Sequence, residues 1–139
     1  MSFVLDNSVA LAWCFEDEQS PAVMALLDRV TETGAVAPLL WPLEALNGLL
    51  VAERRRRLNA ATRAALTAFL RELPIMLDLD TAERAWGEAA QLAERFRLSV
   101  YDATYLELAL RRRLPLASLD QGLREAAGAM GVDVLGVAR

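Results

Sequence analysis

The feature that most narrows what this chain can fold into is its alternation of short apolar runs with longer helical patterns. Strand-like runs lie at 3–6, 35–37, 75–79, 116–118 and 132–135, and helical patterns lie between them at 9–15, 21–33, 38–57 after a brief lead-in, 59–72, 80–96, 101–113 and 121–129. Such alternation predicts an α/β domain with a mainly parallel sheet, because a parallel neighbour is reached only by a crossover, usually a helix. The punctuation agrees. Ser20 and Pro21 read as N-cap and first helical position, and Gly34 stops that helix. Pro42 is tolerable only in a first turn, and Pro74 and Pro115 precede strands. Asp80 and Glu83 read as a D-x-x-E capping box. No linker, repeat or low-complexity stretch divides the 139 residues, so one domain over 1–139 is expected.

Four carboxylates break the apolar pattern: Asp6 in FVLDNSV, Glu44 in WPLEALNGLL, Asp102 in VYDATYLELAL and Asp120 in LASLDQGL. Moving an ionised carboxylate toward a core costs on the order of several kcal/mol unless a cation or a hydrogen-bond network compensates. Singly, each has an ordinary explanation. Asp6 and Asp120 are placed to cap the helices that follow their strands, Asp102 opens a helix, and Glu44 can be a satisfied core acid. Glu44 resists this most, because the only other polar side chain from Leu39 to Ala52 is Asn47, one turn away on what reads as a buried face. Gly48 is expected to leave room there for a ligand or ion. Jointly the four point to one site, since strand carboxyl ends and neighbouring helix starts converge on one edge of a parallel sheet.

The charge count supports the grouping. There are 19 acids and 15 bases, an excess equal to these four carboxylates, and every base is arginine. Outside the four the chain is neutral, and two divalent cations would cancel the excess, so its acidity does not exclude a polyanionic substrate. The arginine runs Arg54 to Arg57 and Arg111 to Arg113 read either as solvated helix ends or as phosphate contacts. A hydrophobic content of 55% excludes disorder, and no stretch is long and apolar enough to span a membrane. The opening MSFVLDNSV lacks the pattern of a secretory signal, so a cytoplasmic protein is expected. Cys14 has no internal disulfide partner and reads as a small buried hydrophobe.

Carboxylates without histidine have a definite inorganic preference. Oxygen-only ligation suits hard cations, Mg²⁺ or Mn²⁺, whereas zinc recruits nitrogen or sulfur. The absence of histidine also removes Ser-His-Asp and Cys-His mechanisms and leaves metal-activated water, for which phosphodiester hydrolysis is the natural reaction.

With these motifs in view, the chain resembles the PIN-domain ribonucleases, and among them the VapC-type toxins of bacterial toxin–antitoxin pairs. VLDNSV is similar to their first acidic motif, AP-x5-E-x2-N-x-L from Ala37 to Leu49 to the second, YDATYLELA to the third and SLDQGL to the fourth. The ordered set covers about residues 3 to 135. The resemblance implies a three-layer α/β/α fold with a four- to five-stranded sheet and Mg²⁺- or Mn²⁺-dependent endoribonuclease activity. It makes Asp6, Glu44 and Asp102 metal ligands, with Asp120 acting directly or through water. It gives Ser8 and Ser118 the task of orienting carboxylates, and Asn47 that of supporting Glu44. It also implies a homodimer and a VapB-like antitoxin whose C-terminal segment covers the active-site groove. Trp13, Phe15 and Trp41 flank the first two motifs and are placed either to line that groove or to pack in the core. Three departures stand out: Ser118 replaces a common threonine, Gly122 stands where some members add an acid, and Pro42 is unusual inside the second motif.

Other classes fit less well. A receiver or haloacid-type phosphatase needs a lysine near the phosphoryl group, and this chain has none; nor does it carry a glycine-rich nucleotide loop. A PIN-fold RNA- or protein-binding module without catalysis and a housekeeping RNA-processing nuclease remain as alternatives to a toxin.

Overall fold

The computed structural model describes residues 2–137; Met1, Ala138 and Arg139, which the expected domain includes, lie outside the described residues. Five short strands, β1 (Val4–Leu5), β2 (Ala35–Pro38), β3 (Ile75–Asp78), β4 (Leu116–Ala117) and β5 (Val134–Leu135), form one sheet in the order β3-β2-β1-β4-β5. All pairings are parallel, with Val4 opposite both Val36 and Leu116. The period of two sorts side chains to opposite faces. Phe3, Leu5, Ala35 and Ala37 enter one core, whereas Val4, Val36 and Leu116 enter the other.

Helices complete the three layers. The first core is closed by α1 (Asn7–Ala12), α2 (Pro21–Thr33), α3 (Trp41–Arg54) and α4 (Ala60–Glu72). On the other face lie α5 (Thr81–Arg84), a π-helical turn (Ala85–Ala89), α6 (Ala90–Phe96), α7 (Val100–Arg112) and α8 (Gln121–Ala129). The expected cap of α2 forms, with Ser20 accepting from the Val23 N–H at 3.2 Å; Asn59, read as the first residue of its helix, instead caps α4 by accepting from the Thr62 N–H at 2.8 Å. Gly34 takes φ +74, and a side chain there would also meet the Pro74 carbonyl.

Three local expectations need correction. α1 starts at Asn7 rather than Val9, because the Asp6 carbonyl already accepts the Val9 N–H at 3.1 Å. The capping box does not form: Asp80 makes no side-chain cap. Instead the Thr81 hydroxyl donates to the Asp78 carbonyl at 2.8 Å and accepts the Leu39 N–H at 2.9 Å, tying α5 to the lead-in of α3. The π turn then interrupts the single helix expected over 80–96.

The arginine runs are partly internal. Arg57 pairs with Asp17 and Glu18 at 3.0 and 3.1 Å and lies 4.2 Å over the Phe15 ring. Arg111 grips Asp78 with two nitrogens, at 2.6 and 3.1 Å, and Glu107 at 2.9 Å; both acids are buried. Trp13, Phe15 and Trp41 are core residues. The Trp13 indole N–H donates to the Val23 carbonyl at 2.8 Å.

β1 at the centre is joined to β2 on one side and β4 on the other, so the chain reverses its direction of winding between β1 and β4. In open α/β sheets the crevice beyond the carboxyl ends of strands at such a point is where ligands bind. Asp6 follows β1 directly and Ser118 follows β4.

Candidate active site

Each of the four acids is delivered by a different element. Asp6 stands between β1 and α1, Glu44 in the first turn of α3, Asp102 in the first turn of α7, and Asp120 before α8. Asp6 is the most deeply buried, at 5% exposure. Its side chain does not cap α1. Instead its Oδ2 accepts from the Ser8 hydroxyl at 2.6 Å and the Ser118 hydroxyl at 2.8 Å. Those hydroxyls in turn accept backbone N–H groups, Ser8 from Leu119 at 2.9 Å and Ser118 from Asp120 at 3.1 Å. The β4–α8 turn is thereby stitched to the end of β1. Burial pushes the Asp6 carboxyl above its ordinary value, and the two serine hydrogen bonds pull the other way.

Glu44 is half-buried, and its Oε1 accepts from the Tyr105 hydroxyl at 2.6 Å. Burial and then the charge of Asp6 outweigh that hydrogen bond and raise its carboxyl. Asn47 lies on the exposed side of α3, so the expected buried face with a paired carboxylate and amide is not what the helix presents. Gly48 does not open space for an ion either: a Cβ there would sit 2.6 Å from Leu11 Cδ1, which makes it the close contact between α3 and α1. Tyr105 escaped the sequence reading of the site because a tyrosine in an apolar helix stripe is ordinary core. Its one signal was its position three residues after Asp102, on the same helix face.

Asp102 is half-buried and its carboxyl is pushed up to about 6, first by burial and then by the charges of Asp6, Asp120 and Glu44. The four acids therefore share one field. Asp120 is exposed, and its Oδ2 also caps α8 by accepting the Leu123 N–H at 2.8 Å. Among the described residues no three His, Cys, Asp or Glu side chains are drawn together at the spacing of a coordination shell. The chemistry of the donor set nonetheless suits a hard cation: it is all oxygen, mutually repelling and partly desolvated. One residue beyond Asp6, the buried Asn7 Oδ1 has no hydrogen-bond partner among the described residues, a further oxygen of the same kind.

The PIN domain sequence profile matches residues 3–129. This chain belongs to the PIN domain family. Solved structures share the PIN fold at low identity. PAE2754 from Pyrobaculum aerophilum is 22% identical, covering 96% of this chain and 83% of its own, with a TM-score of 0.69. VapBC2 from Rickettsia felis, bound to a DNA fragment from their promoter, is 12% identical, covering 96% and 97%, with a TM-score of 0.65. VapC20 from Mycobacterium tuberculosis, a sarcin–ricin loop cleaving toxin, is 16% identical, covering 89% and 94%, with a TM-score of 0.59. No curated protein sequence matches this PIN domain.

Proposed function

We propose that this PIN domain is an Mg²⁺- or Mn²⁺-dependent endoribonuclease that hydrolyses RNA phosphodiester bonds as the toxin of a VapC-type toxin–antitoxin pair. The observation that carries the reading is that the charges of Asp6, Asp120 and Glu44, each from a different element, all act on Asp102, with Asp6 and Asp120 following the two strands that flank the sheet's winding reversal. Asp6, Glu44 and Asp102 would hold the cation, with Asp120 completing the set directly or through water. A divalent cation so held supplies charge neutralisation for the phosphodiester and acidifies a water for attack. The remaining tasks fall to this chain's own groups. Ser8 and Ser118 hold one oxygen of Asp6 and anchor it to the β4–α8 turn. Asp120 is exposed, with one oxygen committed to capping α8, which leaves its other oxygen open to solvent or to a bound water.

The wider reading draws on the structural likenesses. VapC20 is a sarcin–ricin loop cleaving toxin, and VapBC2 is bound to a DNA fragment from their promoter; on these likenesses we take RNA as the substrate and a VapB-like antitoxin as the partner. A homodimer is part of the proposal, as is a cytoplasmic place of action. No helix among the described residues is long and apolar enough to cross a membrane.

Purified protein freed of any antitoxin should cut RNA with Mg²⁺ or Mn²⁺, stop with a chelator, and fall to background as Asp6→Asn. Full activity of folded Asp6→Asn, or cleavage undiminished in chelator, would overturn the assignment.

A further inference from the structure

One buried hydroxyl outside the four acids is aimed into the site. Tyr105 is fully buried, with 0% exposure, and its phenol donates to Glu44 Oε1 at 2.6 Å. The donor lies on α7, three residues beyond Asp102, and the acceptor lies on α3, 61 residues earlier in the chain. A single hydrogen bond thus crosses from the helix carrying one acid to the helix carrying another. Buried phenols ordinarily find a partner. This partner is a carboxylate that faces the charge of Asp6 and stands at the start of a helix whose neighbouring side chains Leu43 and Asn47 are exposed. Repulsion and solvation both favour swinging Glu44 outward, and the phenol opposes both.

We propose that Tyr105 is a positioning residue for Glu44: it occupies Oε1, fixes the rotamer of the side chain against the pull of solvent, and leaves Oε2 available to a divalent cation. The proposal rests on the metal-dependent reading of the site given above. It assigns to a phenol on α7 the holding role that the Ser8 and Ser118 hydroxyls perform on Asp6, and it gives α7 two functions in one turn, a ligand at Asp102 and a clamp at Tyr105.

The test is Mn²⁺ binding by calorimetry in the absence of RNA. Tyr105→Phe keeps the ring and its packing while removing the donor. Folded Tyr105→Phe should bind Mn²⁺ about tenfold or more weakly, the usual consequence of losing a group that orients a ligand. Its affinity for RNA in chelator should be unchanged and its kcat should fall. Breaking the contact from the other end, Glu44→Asp leaves both the tyrosine and a carboxylate in place and should weaken Mn²⁺ to a similar degree, so the proposal does not depend on the Phe variant folding. Wild-type Mn²⁺ affinity in either variant overturns it, as does a fall in melting temperature without a change in Mn²⁺ affinity. Wild-type protein that neither binds Mn²⁺ nor cuts RNA refutes the functional reading itself, a failure separable from these because no variant is needed to see it.

Discussion

Asp102 turns the site's electrostatics into something measurable. Its carboxyl rises from 3.8 to about 6 on folding, through burial and the charges of Asp6, Asp120 and Glu44. Between those values the folded chain holds a proton that the unfolded chain has lost, so the Asp102 contribution to stability falls as pH rises through that window, and above it the charge is a standing penalty. Chelator-treated Asp102→Asn should therefore melt at a higher temperature than the wild type at neutral pH, with the advantage vanishing near pH 4, about the unperturbed carboxyl value. Equal melting at neutral pH would mean that the four acids do not share a field. The acids themselves were legible in the sequence because a carboxylate in an apolar run is a visible conflict. Tyr105 was not, since a tyrosine in such a run conflicts with nothing. Asn47 was misread for a related reason: spacing along α3 says which residues share a face, but not which face the sheet covers.

At the level of elements, the strongest polar contact away from the site is the Arg111 triad. α7 places Arg111 and Glu107 one turn apart, and β3 ends on Asp78, so one guanidinium locks the central helix of its layer to the edge strand. Burial would raise Asp78, but the hydrogen bonds and charge of Arg111 bring it below the usual carboxylate range. Arg111→Met should leave two buried carboxylates without their cation and cost about 3 kcal/mol or more, read as a lowered urea midpoint with an unchanged slope. A loss within experimental error would show that Asp78 and Glu107 relax into solvent. The same contact explains why the capping box failed: Asp78 and Thr81 organise the turn that Asp80 was expected to cap. Local cues served well where the competition was local, as at Ser20 with Pro21, and failed where a side chain from a distant helix decided the geometry. Arg111 itself sat inside a run that read as helix-end solvation or phosphate contact, because its partner Asp78 lies 33 residues away in sequence.

Across the whole molecule, the charge excess and the apolar surface are distributed in a way that bears on assembly. The acid excess is confined to the four site carboxylates in number, so two copies meet without strong net repulsion between the rest of their surfaces. Meanwhile Leu43, Leu79, Trp86 and Tyr101 stand 73%, 81%, 90% and 64% exposed, on α3, after β3, in the π turn and at the start of α7. These segments are held together by the bond from the Leu39 N–H to Thr81 and by packing of α5 on α7. Large apolar side chains exposed to this extent mark an interaction surface where they form one patch. A standard interface takes roughly 800 Å² from each partner, about a tenth of the 8006 Å² that this chain exposes. If a second copy covers that region, both acid sites lie near the seam, since Glu44 and Asp102 each adjoin one of the exposed side chains in sequence. Light scattering should then give twice the chain mass for the wild type at micromolar concentration and the single mass for Trp86→Glu with Leu79→Glu, with the melting transition of the variant becoming independent of protein concentration. A wild type that remains monomeric, or a double variant that stays dimeric, would place the exposed tryptophan in some other contact and remove this face from the assembly.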